Sequence, residues 1–284
     1  MPDTVRLGML TPSSNTVLEP MTVAMLAGIP GVSAHFSRFK VTEIALTDEA
    51  LGQFDDSEIL RAAELLTHAK VDVIAWNGTS ASWLGFDRDE QLCERITQAT
   101  SIPACTSVLA LREIFQRTGV TRVGLVTPYL KDVQTRIVAN WGASGITCTE
   151  RHLGLQDNFS FAEVDEATIA DLVRGVAREG CDAVGIVCTN MRGAAIVEAL
   201  EHELGIPVYD SIGTTVWKSL SITGVDPSRV SGWGRLFHEV SSYSVAPADH
   251  KLGHASGPLA PTKQDCRGWP TDVGRDPVFT SDLS

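Results

Sequence analysis

Cys188 carries the most chemical promise in this chain, at the end of the apolar run AVGIV and the start of a polar loop. A thiol in that place can serve as nucleophile or as acid–base group. The residues that follow predict a helix from about Arg192 to Leu204. A cysteine at a helix N-terminus feels N–H groups that favour its thiolate. The expectation is a lowered pKa and the fastest alkylation among the six cysteines. The plainer alternative is a small buried core residue, which suits a strand end against a polar loop less well. Cys93 falls inside a helical run, Cys105 and Cys148 follow short strands, Cys181 starts one, and Cys266 lies near the end of the chain. For these five, packing is the simpler reading.

Other loops at strand ends share one chemistry. They span residues 11–15, 77–80, 106–107, 127–129, 188–190 and 210–215, and are rich in Ser, Thr, Asn and Gly with almost no charge. Neutral donors converging on one site suit a carboxylate or the enolate formed from it. Each member also has a structural reading. Asn15 can cap a helix over the following residues, Asn158 can sit in a turn, Tyr129 can be a surface ring, and Gly78 can be a turn glycine. The chain has no G-x-S-x-G elbow, no G-x-G-x-x-G after a strand, no C-x-x-C and no H-E-x-x-H. A serine hydrolase, a dinucleotide cofactor and a metal centre are therefore poorly supported; no cofactor and no metal are expected.

The elements that must hold these loops are written twice. RLGMLTP at 6–12 returns as RVGLVTP at 122–128, and VDVIAWNGTS at 71–80 as CDAVGIVCTN at 181–190; Ile-Pro stands at 102–103 and again at 206–207. The order of these matches is fixed, which marks an internal duplication. Apolar strands alternate with helical runs such as 57–69 and 166–179. The prediction is an α/β fold of two pseudo-symmetric, doubly wound halves with parallel sheets and a site between them. The halves are expected at 1–118 and 119–245, with the chain crossing back near its end. Residues 246–284 read as a poorly ordered tail, rich in Pro and Gly and without apolar period. By the repeat, Gly78 stands where Cys188 stands. A two-cysteine version would set thiols on opposite faces of a planar carbanion, so a cysteine at position 78 is expected to restore the second thiol.

Composition narrows the class. The 284 residues are 43% hydrophobic and 20% charged, with a formal net charge of −12. That balance supports a full core and argues against a nucleic-acid surface. The N-terminus lacks a signal-peptide pattern, and no apolar stretch reaches the roughly 18 residues of a membrane span. The chain reads as cytoplasmic and soluble, with reduced cysteines. The expected partner is a small carboxylate or dicarboxylate; a homo-oligomer is left open.

Over about residues 5–240 the sequence resembles the aspartate/glutamate racemase superfamily, in the branch of arylmalonate decarboxylases and maleate cis-trans isomerases. The resemblance is carried by PSSNT at 12–16, GTS at 78–80, TPY at 127–129 and CTN at 188–190. It implies two Rossmann-like domains, no cofactor and a site between them. The decarboxylases have Gly-Thr-Ser in the first half and one proton-donating cysteine in the second, which correspond here to Gly78, Thr79, Ser80 and Cys188. Tyr129 matches their site tyrosine, which with Thr79 and Ser80 holds the retained carboxylate. Thr189 and Asn190 flank the thiol as further substrate-binding candidates. The isomerases' substrate-binding asparagines correspond to Asn15 and Asn158, whereas their first cysteine falls on Gly78 and is missing. The implied activity is decarboxylation of a small malonate-type dicarboxylate, aliphatic or polar. One carboxylate is held by donors and the other pressed against an apolar wall drawn from Trp83, Leu84 or Phe86. The alternatives are an isomerase or racemase of a small carboxylate, and a two-lobed carboxylate-binding protein without turnover.

Overall fold

An aspartate just before an inner strand fixes the start of each half. Asp72 accepts from the Arg6 N–H at 2.7 Å, and its own N–H donates to the Arg6 carbonyl at 2.8 Å. Asp182 and Arg122 repeat the exchange at 2.9 and 2.8 Å. The duplicated letters thus carry a duplicated hydrogen-bond pattern.

The computed structural model describes residues 4–48, 52 and 56–240. The first half contains β1 (Val5–Pro12), α1 (Leu18–Leu26), β2 (Val32–Phe39), α2 (Asp56–His68), β3 (Val73–Trp76), α3 (Ala81–Leu84), α4 (Phe86–Thr100), β4 (Ala104–Thr106) and α5 (Ser107–Thr118). The second contains β5 (Arg122–Thr127), α6 (Lys131–Ala143), β6 (Thr147–His152), α7 (Glu166–Ala177), β7 (Ala183–Ile186), α8 (Val197–Leu204), β8 (Val208–Asp210), α9 (Ser211–Ile222) and α10 (Leu236–Glu239). The strands form two four-stranded sheets, ordered β2-β1-β3-β4 and β6-β5-β7-β8. Every pairing is parallel. This is the expected two-sheet α/β architecture. The inner strands β3 and β7 are buried at every residue, as a sheet covered on both faces requires.

The amphipathic helices sit where their periodicity puts them. In α2 the buried residues are Ile59, Ala62, Ala63 and Leu66; in α7 they are Ile169, Ala170, Val173 and Val176. Both runs follow three-and-four spacing, one face inward. The helix expected over 192–204 is corrected. A short 3-10 turn spans Ala194–Ile196 and the α-helix begins only at Val197. Close packing delays it: a Cβ on Gly193 would lie 2.8 Å from Asp210 Oδ2 and from the Ile186 side chain. The backbone there is pressed onto β7 and β8 before it can turn into α8.

Helix α9 joins the halves. It is capped by Asp210, which accepts from the Ile212 N–H, and is buried from Ser211 through Trp217. It packs against α1, β3, β4 and α5 of the first half as well as β8. Ser107 Oγ donates to the Ser211 carbonyl at 2.8 Å, and Thr214 Oγ1 to the Ser107 carbonyl at 3.3 Å. The expected tail at 246–284 lies outside the described residues. Among those described, no helix is long and apolar enough to cross a membrane.

Candidate active site

The carboxyl ends of β1, β3, β5 and β7 point their loops at one another, the usual ligand position in open parallel sheets. Between the loops lies a small cavity of about 20 Å³, room for about one water molecule. Its polar wall is Thr79, Ser80, Tyr129, Asn158, Cys188 and Thr189, with Gly78 beside them. Its apolar wall is Pro12, Val41, Ile44, Trp76 and Trp83. Among the described residues, no lysine or arginine lines it. Of the expected apolar wall, Trp83 is present while Leu84 and Phe86 lie elsewhere; Phe86 stacks against Trp141 at 4.9 Å.

Cys188 is 3% exposed. The Asn190 N–H donates to its sulfur at 3.4 Å, and Tyr129 lines the same cavity. The expected low pKa is overturned. Burial pushes the thiol up to about 12, over the opposing pull of the Asn190 N–H, the Tyr129 hydroxyl and the Met191 N–H, and buried Asp210 pushes it the same way. Two physical reasons account for the difference. The helix that was to favour the thiolate starts at Val197, too far along the chain to act. The sulfur is also shut off from water, which penalises the charged form. Cys105 and Cys148 are raised by burial too, to about 11 and about 12.

Tyr129 comes from the second half and Thr79 from the first; their hydroxyl oxygens are 2.6 Å apart. The tyrosine ring is held edge-on by Trp83 at 5.1 Å and by Phe161 at 5.6 Å. Burial drives its phenol well above the ordinary value, so it stays neutral and able to donate. The turn from Gly78 to Ser80 leaves the Thr79 and Ser80 amides without a backbone acceptor among the described residues. Thr79, Tyr129 and Cys188 all line the cavity, and the Thr79 and Tyr129 hydroxyls are hydrogen-bonded to each other.

The asparagines divide. Asn158 lines the cavity while its Nδ2 donates to Ser14 Oγ at 2.7 Å. Asn15 caps α1, its Oδ1 accepting from Val17 and Leu18 at 3.0 and 2.9 Å, and its Nδ2 donates to Thr189 Oγ1 at 3.1 Å. Asn190 accepts from the Thr16 N–H at 3.0 Å and donates to the Asn158 carbonyl at 2.6 Å. Neither Asn15 nor Asn190 is among the cavity walls. They tie the 12–17 loop to the thiol loop. Thr189 is committed in the same way, donating to the Asn77 carbonyl at 3.0 Å.

Several site residues give little signal in the sequence. Val41 and Ile44 cover the cavity because their loop clasps the second half: the Ile44 N–H donates to the Gln156 carbonyl and the Asn158 N–H to the Thr42 carbonyl, both at 3.0 Å. Gln156 Nε2 also bonds the Glu43 carboxylate. Arg38 donates to the Ser13 and Asn15 carbonyls at 2.9 and 3.0 Å and pairs with Glu19, fixing the first loop. Trp76 reads as an ordinary core residue of β3, yet its indole lies over Gly78. A Cβ on Gly78 would come within 1.9 Å of the ring. The space in which a cysteine at position 78 was expected to place a second thiol is therefore filled.

Among the described residues, no group of three or more His, Cys, Asp or Glu is arranged to hold a metal ion. A family model described as arylmalonate decarboxylase matches residues 8–237. The chain is 30% identical over 246 residues to a maleate isomerase of Pseudomonas putida strain KT2440, covering 81% of this chain and 96% of that protein. It is also 30% identical over 171 residues to an arylmalonate decarboxylase of Bordetella bronchiseptica, covering 59% and 71%. The crystal structure of the maleate isomerase Iso from Pseudomonas putida S16 superposes with a TM-score of 0.76 at 26% identity, covering 83% of this chain and 98% of that one. With the family model spanning residues 8–237, two parallel sheets and loops meeting at a thiol, the chain belongs to the enzyme family of arylmalonate decarboxylases and maleate isomerases.

Proposed function

We propose that this protein is a cofactor-independent decarboxylase of a small malonate-type dicarboxylate, with Cys188 as the proton donor. The observation that carries the reading is that, among the described residues, Cys188 is the one thiol on the cavity wall, buried and neutral, in a site where Trp76 covers Gly78. A thiol held protonated at neutral pH is an acid in waiting rather than a ready nucleophile.

One carboxylate of the substrate accepts from Thr79, Ser80 and Tyr129. The other lies against Val41, Ile44 and Trp83, where no cation among the described residues compensates it, and that environment favours its loss as CO2. The carbon–carbon bond breaks and its electron pair forms the enediolate of the retained carboxylate. The same neutral donors stabilise the growing charge, already oriented where it develops. The Cys188 S–H then gives its proton to the carbanionic carbon. The thiolate left behind is held by the Asn190 N–H and the Tyr129 hydroxyl until solvent reprotonates it. Protonation from one side gives a product of one hand.

Maleate isomerisation is the second reading, favoured by the 30% identity to a maleate isomerase. It asks Cys188 to act as a thiolate that adds to the double bond, against the raised pKa. Proton NMR in D2O with malonate, 2-methylmalonate and maleate separates the readings. Monodeuterated acetate or propionate, with maleate unchanged, supports decarboxylation. Fumarate from maleate, with the malonates untouched, replaces it by isomerisation. Inertness toward all three, with binding retained, leaves a carboxylate-binding protein.

A further inference from the structure

We propose that Trp76 is a substrate-positioning and specificity-determining residue, its indole N–H donating to a substrate carboxylate from the side of the cavity where a second thiol would otherwise stand. The inference rests on the carboxylate-binding part of the proposed function and adds a named donor to it.

Three observations carry it. The Trp76 side chain is 1% exposed and lines the cavity, yet its Nε1 has no hydrogen-bond partner among the described residues. A buried N–H without an acceptor asks for an explanation; Trp141 and Trp217 share that condition among the described residues, but only Trp76 of the three lines the cavity. Second, the ring and Gly78 exclude one another: a Cβ on Gly78 would be 1.9 Å from Cζ2 and 2.3 Å from Cε2 of the indole. Cε2 is bonded to Nε1, so the unpartnered N–H sits at the same edge as the Gly78–Ser80 turn. Third, the ring is braced from behind by Phe39, with centroids 5.1 Å apart, which keeps the N–H aimed rather than free to turn away.

Among the described residues the cavity wall carries no cation and offers neutral donors, and each added N–H matters more in that dry setting. The indole also occupies volume. It leaves space for a small substituent on the substrate and denies the opposite face both a thiol and water. Trp76 and Gly78 thus act as one unit: a glycine admits the ring, and the ring replaces a second acid.

The test has a binding arm and a steric arm. The binding arm follows the indole N–H resonances in ¹H–¹⁵N spectra while malonate or maleate is titrated, with Trp76→Phe assigning the signal of interest. The expected result is a downfield shift of the Trp76 resonance, and affinity for both anions about tenfold weaker in Trp76→Phe with the melting temperature nearly kept. A Trp76 resonance that stays in place at the highest anion concentration, or unchanged affinity in Trp76→Phe, overturns the proposal. Neither readout needs turnover. A decarboxylase assay that fails while Trp76→Phe weakens anion binding removes the proposed reaction and leaves this inference standing. In the steric arm, Gly78→Ala lowers the melting temperature in the wild-type background and much less in Trp76→Phe or Trp76→Ala. Equal losses in all backgrounds would show that the ring does not own that space.

Discussion

The hydroxyl oxygens of Thr79 and Tyr129 lie 2.6 Å apart across the seam between the two halves, in the cavity that Cys188 also lines. Neither half makes the pair alone. Tyr129→Phe and Thr79→Val are each expected to lower kcat/KM about 10²-fold, the scale of one lost oxyanion donor. The stability cost should be about 1 kcal/mol for each lost hydrogen bond. Because the groups share one network, the double variant should lose less than the product of the two single losses. Steady-state kinetics on the four proteins, with melting curves alongside, check both statements; multiplicative losses would mean the two hydroxyls act independently.

The raised thiol pKa makes Cys188 slow, not fast. Its ordinary value is 9.0 and burial pushes it up to about 12. Below the ordinary value both folded and unfolded chains keep the proton. As pH climbs from about 9 toward about 12, the unfolded thiol ionises first, and the stability tied to the neutral folded thiol is lost. Limited iodoacetamide labelling followed by mass mapping should leave Cys188 untouched at pH 7.5 and modify it only in strongly alkaline solution. Rapid labelling at neutral pH in the intact fold would contradict the burial argument.

Asp210 supplies a second pH signature. It is buried, its Oδ1 caps α9, and its Oδ2 has no partner among the described residues. Burial pushes its carboxyl from 3.8 up to about 7. A raised carboxyl pKa gives stability that is full below about 3.8 and is lost as pH rises through about 7. Asp210→Asn keeps the Oδ1 cap and removes the titration. Its melting temperature should fall less than that of the wild type between pH 5 and pH 8; parallel curves would assign the slope elsewhere, with Asp89, also raised to about 7, the first group to examine.

The duplicated strands were legible because their letters repeat: Arg6 and Asp72, then Arg122 and Asp182, mark the same turn of chain twice. The α-helix begins at Val197, later than its local pattern indicates, because Gly193 marks a backbone pressed against Asp210 and Ile186. The sign of the Cys188 shift depended on Val41 and Ile44 closing the cavity from far along the chain, which no local pattern announces. Trp76 was hidden for a related reason. An aromatic residue in a buried strand reads as core, and only the clash with a Cβ on Gly78 reveals that its ring faces the site.

The central claim is that one thiol protonates one face of an enediolate, and 2-methylmalonate in D2O tests it most directly. Wild-type protein should release 2-deuteropropionate of a single hand. Cys188→Ala should keep the fold and lose turnover by about 10²–10⁴-fold, the range of a missing proton donor. The measurement is the enantiomeric ratio of the deuterated product beside the rate of CO2 release. A single enantiomer from wild type and almost none from Cys188→Ala is the predicted result. Equal amounts of both enantiomers from wild type, or undiminished CO2 release from Cys188→Ala, would contradict the one-thiol account.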